Sequence, residues 1–200
     1  MSRVFLASRN AKKLAEMERI LRAHLPSVEV LGLDDVAAYD EPVEDQPTFE
    51  GNALLKARAG LAATGLPSVA DDSGLCVDAL NGMPGVLSAR WAGPPKADER
   101  NNELLLAQLA DVPDERRTAH FTCAVAFCHP DGDEIVVDGR MDGQIIRETR
   151  GAGGFGYDVL FVADDHPGAT TAELSVEDKD AISHRGKALR QLAPLVARKL

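Results

Sequence analysis

Residues 120–137 read HFTCAVAFCHPDGDEIVV, two apolar stretches separated by Pro-Asp-Gly at positions 130–132. Proline, aspartate and glycine favour tight turns, so the pattern predicts a β-hairpin with strands over His120–Cys128 and Glu134–Val137. Two strands joined by so short a turn must run antiparallel. A sheet that contains them is therefore not purely parallel.

Beyond the hairpin, short apolar runs alternate along the chain with segments of helical periodicity. Such alternation is typical of α/β proteins. Combined with the antiparallel hairpin, it predicts an α/β fold with a mixed central β-sheet flanked by helices. The predicted strands are Val4–Ala7, Ser68–Ala70 with a second short run at Leu75–Leu80, and Val159–Val162. The first predicted helix begins after Asn10, its expected N-cap, and the others cover Phe49–Ala63, Asp98–Leu109 and most of Ser175–Leu200. At the start of this last segment Ser175 and Asp178 match the spacing of a capping box, and Pro194 is expected to kink or break its last part.

The chain has 200 residues, of which 22 are Lys or Arg and 32 are Asp or Glu, giving a net charge of −10. The length suits a single domain, taken as residues 1–200. The acidic balance argues against a nucleic-acid-binding protein, because such proteins present excess Lys and Arg to the phosphate backbone. A small anionic ligand needs only a few local cations, so this charge is compatible with a nucleotide.

The amino terminus carries four consecutive apolar residues, Val4–Ala7. That run is too short for a signal peptide, and no run in the sequence approaches the ~20 residues of a membrane helix. The three cysteines, Cys76, Cys123 and Cys128, form no Cys-x-x-Cys pair, which disfavours disulfides and zinc sites. We therefore expect a cytoplasmic protein without a membrane or nucleic-acid partner.

Ser8, Asn10 and Lys13 occupy the turn between the first predicted strand and the first predicted helix. A helix start offers free backbone N–H groups and a partial positive charge, to which this turn adds a hydroxyl, an amide and two lysines. These groups suit a phosphate site, although an ordinary capped turn with solvated lysines has the same pattern. The nucleotide motifs GxxxxGK[ST] and GxGxxG are absent from the sequence.

The segment Asp71-Asp72-Ser73-Gly74 follows the apolar run Ser68–Ala70. Consecutive side chains of a strand point to opposite faces, so one aspartate could face a site while its neighbour braces the turn. Magnesium binds few carboxylates together with water and phosphate oxygens, and a carboxylate beside it can deprotonate an attacking water. An Asx-type turn followed by glycine is the alternative interpretation.

Two later segments carry groups that suit a purine base. In Gly153–Asp158, glycines flank Phe155, so a flat ligand can approach the backbone and stack on the ring. In Ser183–Gly186, His184 and Arg185 can donate hydrogen bonds to a carbonyl oxygen such as that of a 6-keto purine. A core-packed loop and a solvated helix start are the corresponding alternatives. Together, however, the four segments supply what a nucleotide hydrolase needs.

The order of these motifs resembles that of the inosine/xanthosine triphosphate pyrophosphatase family. The resemblance runs from residue 4 to about residue 192, nearly the whole chain. The segments that carry it are Ser8–Lys13, Phe49–Ala57, Ala70–Leu75, Gly153–Asp158 and Ser183–Gly186, with Pro84–Arg90 and Thr171–Leu174 between them.

The resemblance implies two lobes with the active site in the cleft between them, a homodimer, and Mg²⁺ as cofactor. It also implies hydrolysis of ITP, dITP and XTP between the α- and β-phosphates, to the monophosphate and pyrophosphate, which removes deaminated purines from the nucleotide pool. A site that donates hydrogen bonds to the purine O6 accepts a keto group and rejects the 6-amino group of adenine.

The site residues implied by the resemblance follow from motif position. Asp72 is the implied proton acceptor and magnesium ligand, with Asp71 in support, and Glu44 is the best match to a second acidic metal ligand. The implied triphosphate ligands are Ser8, Arg9, Asn10, Ala11, Lys12, Lys13 and Lys56. Ser73 is implied to contact substrate, and the implied base-binding residues are Phe155, Gly156, Tyr157, Asp158, Lys179, His184 and Arg185.

Two other functions are open at this point. A related pyrophosphatase acting on modified pyrimidine triphosphates shares the broad fold and a similar phosphate turn, but His184, Arg185 and the glycine-flanked Phe155 favour a purine. A nucleotide sensor without catalysis belongs to a different class. The intact Asp71 and Asp72 disfavour it, since a sensor gains little from a hydrolytic carboxylate.

Overall fold

The computed structural model describes residues 3–8 and 10–200, and in this part the chain forms six β-strands and five α-helices. The strands are β1 (Arg3–Leu6), β2 (Glu29–Leu31), β3 (Ser68–Val77), β4 (Thr118–Cys128), β5 (Glu134–Ile145) and β6 (Phe161–Ala163). The helices are α1 (Ala11–His24), α2 (Phe49–Thr64), α3 (Asp98–Gln108), α4 (Val176–Ile182) and α5 (His184–Val196). Among these described helices, none is long and apolar enough to cross a bilayer.

The strands form one sheet in the order β2-β1-β3-β4-β5-β6. Strand β1 pairs in parallel with β2 and β3, whereas β5 and β6 pair antiparallel. Between β4 and β5 the chain turns at residues 129–133, where the His129 N–H donates to the Asp133 carbonyl at 2.9 Å. The predicted α/β fold with a mixed sheet and a central hairpin is therefore confirmed.

The described chain divides into two compact units. The first comprises the residues up to Asp72 together with Cys123–Gly139 and His184–Leu200, and the second comprises Ser73–Thr122 and Arg140–Ser183. Each unit has its own apolar core. The assignment of residues 1–200 to a single domain stays a prediction.

In the first unit, alternate residues of β1 face two different sets of helices. Val4 and Leu6 lie in a core with α1 and α5, while Phe5 and Ala7, which follows the strand, pack in a second core with α2. Successive strand residues point to opposite faces, so a strand covered on both sides needs consecutive apolar residues. The apolar run thus fixes β1 between helices and sets the point where α1 begins.

In the second unit, α3 packs its Leu105 against a core built from β3, β4, β5 and β6. Phe121 and Phe161 meet edge to face in this core, with ring centroids 4.8 Å apart. Tyr157 belongs to the same core and is buried. The glycine-rich loop Gly153–Asp158 is therefore anchored at one end by an aromatic residue in the core.

Two helix starts have the caps that the sequence predicts. Asn10 is the N-cap of α1, with its side chain accepting backbone N–H groups of the first turn. Ser175 caps α4: its Oγ accepts the Asp178 N–H at 3.1 Å and donates to Asp178 Oδ2 at 2.7 Å. Both predictions are confirmed.

Several element boundaries differ from the prediction, and three of the differences are large. Asp71–Gly74 is not a turn but the middle of the continuous strand β3, because the buried Asp71 carboxylate is paired with two cations. Strand β5 continues to Ile145, well beyond the predicted end at Val137, with residues from Gly139 onward alternating between buried and exposed. The last helical segment breaks at Ser183 rather than at Pro194, which lies inside α5.

Gly139 of β5 brings the backbone of α5 unusually close to the sheet. A Cβ atom at this position would lie 1.9 Å from the His184 carbonyl oxygen and 2.7 Å from the Ala188 nitrogen. Both obstacles are backbone atoms, so no side-chain rotation could relieve the clash. The first turn of α5, which carries His184 and Arg185, can therefore pack this closely against β5 only because residue 139 is a glycine.

We expect Gly139→Ala to push α5 away from β5 and lower the free energy of unfolding by about 1–3 kcal/mol, as other overpacking substitutions do. The measurement is chemical denaturation monitored by circular dichroism. Asp138→Ala, at the exposed neighbouring position, is the matched control and should change stability by less than about 0.5 kcal/mol. Equal stability of the Gly139→Ala variant and the parent would show that α5 is not seated in this way.

Candidate active site

The turn between β1 and α1 holds the predicted phosphate ligands. Asn10 Oδ1 accepts the backbone N–H groups of Lys12 and Lys13 at 3.1 and 3.2 Å. Phosphate oxygens bound at this helix start would compete with the cap for these two donors. Of the other predicted ligands in the turn, Ala11 is exposed, Ser8 is half-buried with its Oγ accepting the Asn10 N–H at 3.3 Å, and Arg9 lies outside the described residues.

Asp71 of β3 is the centre of a buried ion network. It is 2% exposed, and its Oδ2 accepts hydrogen bonds from Lys13 Nζ and Arg185 Nε, each at 3.1 Å. Arg185 Nη1 donates in turn to Glu16 Oε2 at 2.6 Å. Burial raises the pKa of Asp71, but the charges of Lys13 and Arg185 outweigh that effect and hold the pKa well below its usual range. Asp71 is therefore ionised and committed to two cations.

Asp72 follows directly and has different partners. Its Oδ2 accepts a hydrogen bond from Asn52 Nδ2 at 2.9 Å, and its Oδ1 lies 3.8 Å from Lys56 Nζ. Burial raises the pKa of Asp72, and the nearby Lys56 only partly offsets this. The alternation of side chains along β3 explains the difference, because neighbouring strand residues point to opposite faces. Of the two carboxylates, Asp72 is the one whose proton affinity suits a base.

Lys56 of α2 lies between two carboxylates. Its Nζ donates to Glu44 Oε1 at 2.6 Å and lies close to Asp72. Burial lowers the pKa of Lys56, but the surrounding acidic groups Asp71, Asp72 and Glu44 outweigh it and raise the pKa above its ordinary value. Lys56 is therefore a partly buried ammonium, the charged form in which lysine binds phosphate oxygens.

The same carboxylates fit a magnesium ion by their chemistry. Within residues 3–8 and 10–200, no three His, Cys, Asp or Glu side chains are grouped as ligands of a metal. Magnesium does not require such a group, since it usually takes one or two carboxylates and completes its shell with water and substrate phosphates. Asp72 and Glu44, both near Lys56 Nζ, already share one cation. The pair thus matches the donor set that magnesium uses.

The second unit holds most of the predicted base-binding residues, arranged around Asp158. Asp158 Oδ2 accepts the Phe155 N–H at 2.8 Å and a bond from Lys179 Nζ at 2.6 Å, while Oδ1 accepts the Thr171 hydroxyl at 2.8 Å. A Cβ atom on Gly154 would lie 2.2 Å from Asp158 Oδ2, so the loop needs glycine there. Asp158 therefore organises the loop from within.

Phe155 is the aromatic residue of this loop that is not buried. It is half-buried, and Lys179 Nζ lies 5.1 Å from the centroid of its ring, within the range of a cation–π contact. Tyr157, by contrast, is buried and donates its hydroxyl to the Ser88 carbonyl at 2.9 Å. Phe155 is thus the partly exposed ring of the loop, with a cation beside it.

The predicted site residues fall into two sets. The first unit brings together the acidic and cationic groups, and the second brings together the aromatic loop and its lysine. The first set is Ser8, Asn10, Ala11, Lys12, Lys13, Glu44, Lys56, Asp71, Asp72, His184 and Arg185. The second is Ser73, Phe155, Gly156, Tyr157, Asp158 and Lys179. His184 and Arg185, implied to bind the base, are both buried, and Arg185 lies between Asp71 and Glu16.

The profile of the Ham1 family matches residues 4–195. The chain belongs to the Ham1 family. A dITP/XTP pyrophosphatase of Nocardia farcinica is 62% identical over 198 residues, covering 98% of this chain and 96% of the relative. One of Corynebacterium glutamicum is 56% identical over 199 residues, covering 98% and 97%. The resemblance seen in the motifs is therefore confirmed at family level.

Solved structures of the Ham1 family have the same fold. The nucleoside-triphosphatase/dITP/XTP pyrophosphatase of Mycobacterium abscessus superposes with a TM-score of 0.77 at 55% identity, covering 96% of this chain and 99% of that one. The Ham1 protein of Staphylococcus aureus gives a TM-score of 0.87 at 36% identity over 100% of both chains.

Two residues of the candidate site, Glu16 and Asn52, were not predicted from the sequence. Glu16 lies one helical turn after Lys13 and shares the buried face of α1 with Met17, which is an unusual place for a carboxylate. Asn52 precedes Lys56 by four residues, so both side chains leave the same face of α2. A buried-face glutamate and an Asn-x-x-x-Lys spacing were the available signals.

The network predicts a specific double-variant result. Arg185→Met leaves the Glu16 carboxylate buried without its guanidinium and should destabilise the chain by about 3–5 kcal/mol, as loss of one partner of a buried pair does. The Arg185→Met/Glu16→Gln variant should be more stable than Arg185→Met alone, because it removes the buried negative charge of Glu16 together with the guanidinium that pairs with it. Urea unfolding of both variants measures the difference.

Arg198→Met, at an exposed position just beyond α5, is the control and should change stability by less than about 0.5 kcal/mol. If the double variant is less stable than the single one, Glu16 and Arg185 do not form a buried ion pair.

Proposed function

We propose that this chain hydrolyses dITP, ITP and XTP to the corresponding monophosphate and pyrophosphate. The observation that carries the proposal is the pair of neighbouring buried carboxylates in β3, one held ionised by cations and the other with its pKa raised, in a member of the Ham1 family. Two carboxylates whose environments push their pKa values apart are typical of hydrolytic sites. Relatives that are 62% and 56% identical bear the name dITP/XTP pyrophosphatase.

Asp72 is the general base of the proposed reaction. Its carboxylate accepts a proton from the attacking water, and its Asn52 contact orients the carboxyl group. Asp71 does not compete for this proton, because Lys13 and Arg185 occupy it. The bond that breaks lies between the α- and β-phosphates, so that pyrophosphate leaves as a unit.

The triphosphate is bound, in this proposal, by the start of α1 together with Lys13 and Lys56. Each lysine is held by a carboxylate, Asp71 for Lys13 and Glu44 for Lys56. Asp72 and Glu44 would hold magnesium, which neutralises phosphate charge and stabilises the leaving pyrophosphate.

The proposal also includes a homodimer and a cytoplasmic location.

Phe155 and Lys179 form the base-binding part of the proposal. The half-buried ring stacks on the purine, and the Lys179 ammonium is close enough to the ring to donate to a keto oxygen of the base. Adenine carries an amino group at that position, so its hydrogen-bond donor would face the Lys179 donor and no hydrogen bond could form. Arg185 contributes by fixing Asp71, the contact that it makes in the structure, and its direct contact with the base stays a prediction.

The substrate is tested by product release from ITP, XTP, ATP, GTP and dTTP with magnesium, scoring pyrophosphate separately from orthophosphate. We expect pyrophosphate from ITP and XTP and little from the other three. Omitting magnesium with EDTA present should abolish turnover of both. Orthophosphate as product, a preference for dTTP, or binding of nucleotide without turnover would refute the proposal in favour of a different phosphatase, a pyrimidine enzyme or a sensor.

Asp72→Asn tests the base within the same assay. The variant keeps the size of the side chain but cannot take up a proton, so kcat should fall by about 10²–10⁴-fold, the usual contribution of a general base. Its fold, followed by circular dichroism, should match that of the parent. Asp34→Asn, in an exposed turn before α2, is the charge-matched control with unchanged kcat. Near-normal turnover of Asp72→Asn would remove Asp72 from the mechanism.

A further inference from the structure

Helix α3 contacts the glycine-rich loop Gly153–Asp158 through two side chains that lie outside the sequence motifs. Asp98 is the first residue of α3, and its Oδ2 accepts the Gly156 N–H at 2.7 Å. Asn102 lies four residues later, and its Nδ2 donates to the Gly156 carbonyl at 3.0 Å. Residues four apart on a helix share a face, so both reach one glycine. We propose that Asp98 and Asn102 are positioning residues that set the orientation of Phe155 for base recognition, an inference that rests on the proposed function.

The two contacts fix the backbone on both sides of Gly156. The Gly156 N–H belongs to the peptide plane that links it to Phe155, and the Gly156 carbonyl belongs to the plane that links it to Tyr157. Gly156 itself is left-handed, with a φ of +63°, a region that glycine enters without steric cost. Without external contacts, a glycine in a loop is free to rotate between several conformations. Asp98 and Asn102 select one of them.

Phe155 is consequently held at both of its peptide groups. Its own N–H donates to Asp158 Oδ2 at 2.8 Å, and the peptide that follows it donates to Asp98 Oδ2. A side chain leaves the Cα atom in a direction set by these two peptide planes. The position of the ring is therefore determined by one carboxylate from the loop and one from α3.

The helix dipole favours an acidic residue in the first turn of α3, but it does not require that the carboxylate contact the loop. The N-cap of α3 is Ala97, which offers no capping side chain, and Asp98 directs its Oδ2 to the loop. Asn102 is 5% exposed, and its Oδ1 has no hydrogen-bond partner among the residues that the structure describes. A buried amide that is only half satisfied destabilises a fold. The bond to Gly156 is thus the polar contact that accounts for asparagine at this position.

The test compares Asp98→Ala and Asn102→Asp with the parent chain. The first removes the acceptor of the Gly156 N–H, and the second replaces a donor by an acceptor of the same shape facing the Gly156 carbonyl. Asp98→Asn keeps an oxygen acceptor and is the conservative variant. Glu99→Gln, the exposed neighbour of Asp98, is the charge-matched control, and Phe155→Ala gives the effect of losing the ring.

The readouts are kcat and KM for ITP, the kcat/KM ratio of ITP over GTP, and inhibition constants for IMP and for pyrophosphate. We expect Asp98→Ala and Asn102→Asp to raise the KM for ITP and the inhibition constant of IMP by about 5–20-fold, within the range that the loss of one base stack produces. The ratio of ITP over GTP should fall, while kcat and the inhibition constant of pyrophosphate, which has no base, stay within about twofold of the parent. Asp98→Asn should recover most of the parent KM.

Two results would overturn the inference. Variants with parent values of KM and of IMP inhibition would show that Phe155 does not depend on Asp98 and Asn102. A parallel loss of kcat, pyrophosphate inhibition and melting temperature in Asp98→Ala would show that the contacts only stabilise the fold. A parent chain that turns over no purine triphosphate would instead refute the proposed function, so the two failures are distinguishable.

Discussion

Burial of the Asp71 carboxylate is the constraint on which the first unit depends. Removing a carboxylate from water costs several kcal/mol of free energy unless cations are placed to form hydrogen bonds with its oxygens. Lys13 comes from α1 and Arg185 from α5, the two helices that cover the same side of β1. Asp71 therefore constrains the positions of both α1 and α5, in addition to the apolar contacts between these helices. Because Gly139 admits the α5 backbone so closely, the guanidinium is seated by main-chain packing as well as by charge.

The same pairing determines what the neighbouring carboxylate can do. Asp71 is paired with Lys13 and Arg185. Because side chains alternate along β3, Asp72 points instead toward α2, where it contacts the Asn52 amide and the Lys56 ammonium. The pKa of Asp71 is lowered and that of Asp72 is raised, although the two residues are adjacent and chemically identical. The sequence Asp-Asp thus yields one structural anion and one group able to accept a proton. Exchanging the two environments would require moving α2, not only changing a side chain.

The parts of this structure that could be predicted from the sequence are those that local signals specify. The hairpin turn, the Asn10 and Ser175 caps and the extents of α2 and α3 depend on neighbouring residues and came out as expected. The continuity of β3 through Asp71–Gly74 could not be predicted, because aspartate and glycine disfavour strands and the compensating cations are distant in the chain. The full length of β5 was not predicted for a similar reason: its second half contains Asp138, Gly139, Asp142 and Gly143, residue types that disfavour strands. Motif order singled out Asp72 and Lys56 but gave no role to Glu16 or Asn52, whose contacts are with residues of other elements.

An acidic chain with a net charge of −10 is an unexpected receptor for a triphosphate, and the contacts of its lysines explain how this is possible. Lys13 and Lys56, the lysines proposed to bind the triphosphate, are each paired with a carboxylate: Asp71 lies 3.1 Å from Lys13, and Glu44 lies 2.6 Å from Lys56. Each ammonium is thereby held in place before substrate arrives, and little side-chain entropy is left to lose on binding. The cost is that an incoming anion must compete with a carboxylate already present. In the proposed function, a triphosphate carries enough charge to do so at both lysines at once, whereas a single phosphate group does not, which favours the triphosphate substrate over the monophosphate product.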